Sequence, residues 1–216
     1  MSFGYVGEEY SRLLGKSVGE MVKHQLNAAL VDFQEIGRKG KDIATYLQDE
    51  REAAITTGDT RLAFKLKGDI SVDDGVVDED DVANGENMCY MPPGFVSKQV
   101  DPSSATGKVR ISPSVTRLGL VPESVLEFKE GRLVGYESKS AQARRALKEI
   151  IEATPENSRN LSLFTIGVNP KMKYGNAQDR FVQGSVGLAG FGFSCILQNC
   201  DFSVGNNFLV KKGRLV

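Results

Sequence analysis

Histidine is almost missing from this chain: His24 is the only one in 216 residues. Histidine is the commonest metal ligand and the usual base at neutral pH, so a His-pair metal site within one subunit is excluded. Cysteine is also scarce. Cys89, Cys195 and Cys200 are too few and too scattered for a disulfide framework or a zinc cluster, and they fit a reducing, cytoplasmic setting. No apolar run approaches the ~18 residues of a membrane helix. The opening Met1-Ser2-Phe3-Gly4-Tyr5 lacks the basic stretch and apolar core of a signal peptide, so no membrane partner is expected. Charge of one sign is not in excess: 27 Lys+Arg stand against 28 Asp+Glu, a net charge of −1, which argues against a nucleic-acid binder. There is no Gly-x-Ser-x-Gly elbow and no phosphate-binding Gly-Lys-Ser/Thr loop.

What is present describes an ordinary globular protein, with 40% hydrophobic and 25% charged residues. The length predicts one domain over 1–216, with a helical segment over 1–53 and a sheet-rich body over 54–216. Leu13, Leu14, Val18, Met21, Val22, Leu26, Ala29, Leu30 and Phe33 recur at spacings of three and four, predicting a helix over 8–37 that stops at Gly37 and Gly40. A second helix is predicted from 42 to about 53. The alternation of Leu62, Phe64 and Leu66 predicts a strand over 61–67. Residues 69–86, rich in Asp, Glu and Gly, are expected to form a loop with at most short strands. A short strand is expected at 108–111, a hairpin over 125–136 and an amphipathic helix over 140–153. Strands are expected at 161–168, 194–197 and 202–204, with a terminal hairpin over 208–216.

Several features invite chemical readings and have plainer ones. The run Asp73-Asp74 with Asp78-Glu79-Asp80-Asp81 lacks the alternating ligands, central Gly and distal Glu of a calcium loop, and reads as a solvated acidic loop. His24 has Glu20 and Ala28 as its i±4 neighbours and so no histidine partner on its helix. Gly187-Leu188-Ala189-Gly190-Phe191-Gly192 fails the dinucleotide spacing and reads as close backbone packing. Cys195 and Cys200 read as small buried residues rather than ligands. Lys139, Arg144, Arg145 and Lys148 read as the solvated face of a helix.

Six segments in order resemble the metalloaminopeptidase family that includes aminopeptidase T and aminopeptidase S. They are Thr57-Gly58-Asp59-Thr60-Arg61-Leu62-Ala63-Phe64, Met91-Pro92-Pro93-Gly94-Phe95-Val96, Gly131-Arg132-Leu133-Val134 with the helix after it, Ile166-Gly167-Val168-Asn169-Pro170, Gly184-Ser185-Val186-Gly187-Leu188-Ala189, and Cys200-Asp201-Phe202. The resemblance spans about residues 40–216. It implies an α+β fold, a curved and mostly antiparallel sheet with flanking helices like the family's C-terminal metal-carrying domain. It also implies a homodimer. The family hydrolyses peptides from the amino terminus with a two-metal centre that polarises the carbonyl and supplies hydroxide.

At the positions where the resemblance implies metal ligands, other residues stand. Phe95 and Leu163 replace glutamates, Gly187 and Asn199 replace histidines, and Ser194, beside Phe193, replaces a tyrosine; Asp201 alone keeps a ligand-type side chain. Asp179-Arg180-Phe181 departs from the family's Asp-Glu-Lys as well. A lone carboxylate cannot hold two divalent ions, and burying it unpartnered is costly, so Asp201 is expected to accept hydrogen bonds from Asn199 or backbone N–H groups. The resemblance therefore implies a degenerate relative. Its vacated metal site (Phe95, Leu163, Gly187, Asn199 and Asp201) becomes a pocket for an unknown small ligand, with no catalytic residue, no metal and no cofactor. The chain would then act as a binding or assembly module, as a homodimer or beside a longer family member. The alternative is a metal-dependent leucyl-type aminopeptidase whose divalent metal is held by a rebuilt or intersubunit site drawing on Asp179, Asp201, Glu137 or the acidic loop.

Overall fold

Leu62, Phe64 and Leu66 are buried while Arg61, Ala63 and Lys67 between and beside them are exposed, the period-two pattern of a half-buried strand. The computed structural model that shows this describes residues 2–3, 8–13, 15–57, 60–83, 85, 87–111, 114–116, 119–121, 123–152, 160–171, 184–188, 195–196, 210–211 and 214–215. Their elements follow as β1 (Ser2–Phe3), α1 (Glu8–Leu13), α2 (Val18–Ala29), α3 (Phe33–Leu47), β2 (Arg51–Thr57), β3 (Thr60–Asp73), α4 (Glu79–Ala83), β4 (Tyr90–Met91), β5 (Phe95–Val100), β6 (Thr106–Ile111), β7 (Ser114–Thr116), β8 (Gly119–Val121), β9 (Ser124–Lys129), β10 (Arg132–Ser138), α5 (Ala141–Glu152), β11 (Leu161–Gly167), β12 (Gly184–Leu188), β13 (Cys195–Ile196), β14 (Val210–Lys211) and β15 (Arg214–Leu215).

The fold is α+β, and its large sheet is antiparallel at every pairing. β3 is the spine. β2 pairs along one edge of it. Along the other edge β5 pairs with residues 66–73 and β6 with residues 61–63. Beyond β5 the sheet continues through β11, β12 and β13, and beyond β6 through β9 and β10. One face carries the core: Leu62, Phe64, Leu66, Val96, Phe164 and Ile166 from the strands, with Leu47 of α3 and Leu147 and Ile151 of α5 packed on them. Phe64 and Phe164 meet tilted, ring centroids 5.4 Å apart. Lys98 points to this same side and is buried. Its ammonium donates to the carbonyls of Gln48, at the C-terminal end of α3, and Gly68, in the β3 bulge, at 3.2 and 2.7 Å. The negative end of the helix and a carbonyl left over by the bulge thus supply its partners.

The N-terminal helix predicted over 8–37 is broken into α1, α2 and the start of α3. Ser17 and Glu20 form a capping box that starts α2, and Asp32 caps α3 by accepting from the N–H groups of Gln34 and Glu35. Gly37 and Gly40 do not stop a helix. They lie inside α3 facing the sheet, where an added Cβ would come 2.7 Å from the Asp74 carboxylate and 2.4 Å from Val72 Cγ1. They are glycine so that the helix can approach the strand. The helix expected over 42–53 ends at Leu47, and β2 starts at Arg51, so the sheet begins before the expected boundary at residue 54. Residues 69–73, expected in a loop, complete β3, and 95–100, for which no element was expected, form β5. The hairpin over 125–136, the helix over 140–153, the strand over 161–168 and the terminal hairpin are present as β9–β10, α5, β11 and β14–β15. Of the strand expected at 194–197, Cys195–Ile196 is present as β13; residues 202–204 lie outside the described residues.

Candidate functional site

Val96, Lys98 and Val100 turn towards the helices, so strand alternation turns Phe95, Ser97 and Gln99 to the opposite face. Register extends that face into rows across neighbouring strands. Asp73, Phe95 and Gly167 stand side by side; Ser71, Ser97, Thr165 and Ser185 form the next row; Gln99, Leu163 and Gly187 form the third. Three of the five pocket residues expected from the sequence, Phe95, Leu163 and Gly187, therefore share one face, with Phe95 one end and the Leu163–Gly187 pair about 13 Å along the strands. Asn199 and Asp201 lie outside the described residues, as do Asp179, Phe193, Ser194 and Cys200.

Ser97 and Thr165, at the centre of the middle row, are polar yet buried. The hydroxyls of Ser97 and Thr165 are 2.8 Å apart and each residue is buried. A mutual hydrogen bond is what lets two such groups sit away from water.

Beside Phe95 is a cavity of about 290 Å³ lined by Ser71, Asp73, Asp81, Asn87, Met88 and Cys89, among others. Its lining mixes two carboxylates, a hydroxyl, a carboxamide and a buried thiol with the apolar surfaces of Phe95, Met88 and Val76. Such a mixture suits a small ligand with a polar end and an apolar body. Sequence reading missed Ser71, Asn87, Met88 and Cys89. The alternation Asp69-Ile70-Ser71-Val72-Asp73 carried the signal for the strand, but the acid content of the stretch hid it.

The acidic run is spent on local structure. Asp73 Oδ1 accepts from Gly75 N, Asp74 Oδ1 from Val76 N, and Asp78 Oδ1 from the N–H groups of Asp80 and Asp81 at the start of α4, while Asp81 Oδ2 accepts from Asp78 N. Among the described residues no three of His, Cys, Asp and Glu come together in a way that could hold a metal ion. Neither Phe95 nor Gly187 brings a side-chain donor atom to a metal. Glu137, a ligand under the alternative reading, is on β10 beyond the opposite end of β3. It lines a separate cavity of about 230 Å³ with Arg110, Glu123 and Lys139. Glu123 there contacts Lys139 at 2.6 Å and Arg110 at 2.8 Å, and these hold its carboxyl below the ordinary value of 4.5.

His24 is half-buried on α2, and burial lowers its pKa from 6.5. Lys148 pairs with Glu152 one turn on, and Arg144 and Arg145 are exposed, as a solvated helix face requires. No helix among the described residues is long and apolar enough to cross a membrane.

No family model and no curated protein sequence matches the chain. Among solved structures, 2,5-dihydroxypyridine dioxygenase from Pseudomonas putida KT2440 is similar over 69% of this chain and 43% of its own, at 14% identity and a TM-score of 0.55. AmpT from Thermus thermophilus is similar over 63% of this chain and 34% of its own, at 19% identity and a TM-score of 0.45. The chain thus spans less than half the length of either. At 14% identity the dioxygenase likeness shows a shared fold and nothing about chemistry.

Proposed function

We propose that this chain is a cytoplasmic, non-catalytic relative of the aminopeptidase T-like metallopeptidases, retained as a homodimeric module that binds a small ligand on the polar face of its sheet. The observation that carries the reading is the placement of Phe95. It stands beside Asp73 and Gly167 at the head of the face that also holds Leu163 and Gly187, and it lines the 290 Å³ cavity. The family's chemistry would require oxygen and nitrogen donors at these positions, and hydrocarbon or nothing stands there instead. Phe95 leaves the neighbourhood able to hold an apolar group next to Asp73 and Ser71, which is a binding rather than a hydrolytic arrangement. Asn199 and Asp201 belong to the proposed pocket through the family resemblance alone.

The test is metal content and turnover. The protein is purified without chelator and its bound zinc, cobalt and iron are measured; a leucyl chromogenic substrate is then assayed with each metal added. This reading expects substoichiometric metal and no turnover above buffer. Stoichiometric metal with turnover overturns it and establishes the alternative, an aminopeptidase with a rebuilt or intersubunit site.

A further inference from the structure

The cavity beside Phe95 has walls of one charge. Residues 68–97 supply its whole lining, and they contain eight Asp and Glu and no Lys, Arg or His. Two of those carboxylates reach the cavity from different elements: Asp73 stands on β3 beside Phe95, and Asp81 on α4. The nearest bases are elsewhere. α3 carries Arg38, Lys39 and Lys41 and approaches the run where Gly37 meets Asp74, but none of them lines the cavity, and Lys39 pairs with Glu35. Lys98, which follows Ser97 on β5, is on the other face of the sheet. An anionic ligand would therefore meet two like charges and no partner, whereas the field of these walls concentrates a cation.

That cation is not a metal ion. A hard divalent ion needs about six to eight oxygen ligands converging on one point, and among the described residues no three of His, Cys, Asp and Glu do so. An ammonium group asks less, because its three N–H donors can go to separated acceptors. Asp81 gives Oδ2 to Asp78 N, and an ionised carboxylate has about four lone-pair sites, so that bond leaves acceptors over. The Ser71 hydroxyl and the Asn87 carboxamide add neutral ones. The rest of the lining suits an apolar body. Val76 and Met88 stand 47% and 53% exposed in the cavity wall, next to Phe95. Cys89 adds an independent sign of a ligand: it lines the cavity at 8% exposure, and its thiol has no hydrogen-bond partner among the described residues. The volume of about 290 Å³, at the lower end of ligand pockets, keeps the ligand small.

We infer that this cavity takes a small organic ammonium ion, its charged head between Asp73 and Asp81 and its apolar body on Phe95, Val76 and Met88. The inference rests on the small-ligand reading above and names the chemical class of the ligand. It also says what is rejected: a ligand with a carboxylate beside its amine meets repulsion from the same two walls that hold the amine.

Nuclear magnetic resonance of the full chain, isotope-labelled at its methionine methyl groups, reads the cavity through Met88, whose signal Met88→Leu assigns. Three probes of one shape are titrated: hexylammonium, hexanol and hexanoate. The expected result is a saturable shift of the Met88 methyl by hexylammonium, with a Kd at least about tenfold below that for hexanol, and no shift by hexanoate. Asp81→Asn weakens hexylammonium about tenfold with unchanged circular dichroism and leaves hexanol as it was, and Asp81→Glu restores it. Phe95→Ala weakens both probes. Added salt weakens the ammonium alone. Hexanol or hexanoate binding as tightly as hexylammonium overturns the inference and leaves the small-ligand reading standing. Calcium ion moving the Met88 methyl at lower concentration than hexylammonium overturns it in favour of a metal. A Met88 signal that no probe moves overturns both the inference and this cavity as the ligand site, whereas the non-catalytic reading falls only to bound metal with turnover.

Discussion

Gly94 and Asn169 interlock. Gly94 has a φ of 111°, an added Cβ there would lie 2.7 Å from the Asn169 Cβ and 3.0 Å from its backbone N, and Val168 N donates to Gly94 O at 2.9 Å. The Asn169 carboxamide in turn donates to Pro93 O at 2.7 Å and to Ala28 O at 2.9 Å. Two of the motifs that stand 70 residues apart in the sequence thus form one joint, which sets the start of β5, the end of β11 and the end of α2, and with them the position of Phe95.

That joint predicts two costs. Gly94→Ala forces a side chain into a left-handed conformation against Asn169, for about 1–3 kcal/mol. Asn169→Ala leaves two buried carbonyls without a donor, for about 1–3 kcal/mol. Urea unfolding midpoints measure both. Midpoints within error of the parent protein would remove the joint from the account of how the site is positioned.

Gly40 against Val72 predicts a repairable clash. Gly40→Ala places a methyl group where Val72 Cγ1 stands and destabilises by about 1–3 kcal/mol. Adding Val72→Ala opens the space, so the double variant should lose less than the sum of the two single losses. Strict additivity would mean that α3 and β3 do not meet in solution as they do here.

The Ser97–Thr165 hydrogen bond joins β5 to β11 on the polar face. Thr165→Val leaves a buried Ser97 hydroxyl without its partner and should cost about 1–3 kcal/mol. Ser97→Ala combined with Thr165→Val removes both groups and should cost less than the separate losses added together. A double-mutant cycle in guanidinium reads the coupling, and a coupling of zero rules the hydrogen bond out.

Glu123 gives a pH dependence with a definite sign. Its folded pKa lies below the ordinary 4.5, through Lys139 first and Arg110 second. A depressed carboxylate contributes stability above its unfolded pKa and loses it as pH falls through the folded value. The stability difference between the parent and Glu123→Gln should therefore be present at pH 6–7, shrink from about pH 4.5 downward, and stay within the ~0.2–1 kcal/mol of a partly exposed pair. Added salt should reduce it. A difference that grows on acidification contradicts the pairing.

How far these features were readable from the residues varies with the range of the interaction behind them. Leu62-Ala63-Phe64-Lys65-Leu66 alternates so strictly that the strand and its buried face follow from local pattern, whereas the α+β arrangement around it was implied by the family resemblance. The 125–136 hairpin follows from Glu130-Gly131, which adopt φ of 49° and 79° at its turn. Asp69 to Asp73 alternates equally well, but its acids and neighbouring glycine disguised a strand as a loop. Gly37 and Gly40 misled for a different reason. A glycine inside a helix and a glycine ending one look alike along the chain, and what separates them is Val72, which lies 32 residues beyond Gly40 and touches it only after the sheet has formed.

The candidate site divides in the same way. That Phe95, Leu163 and Gly187 are not ligand types is a property of the residues alone, since no folding gives a hydrocarbon a lone pair. That they share one face is a matter of register: Phe95 pairs with Gly167 and Leu163 with Gln99 and Gly187, and a slip of one residue would turn each to the other side. The cavity beside Phe95 depends on the turn at Gly94 and the segment before β4 closing around it. Hydrophobic pattern is written along the chain because each residue meets water alone, whereas a pocket exists only between segments that packing has brought together.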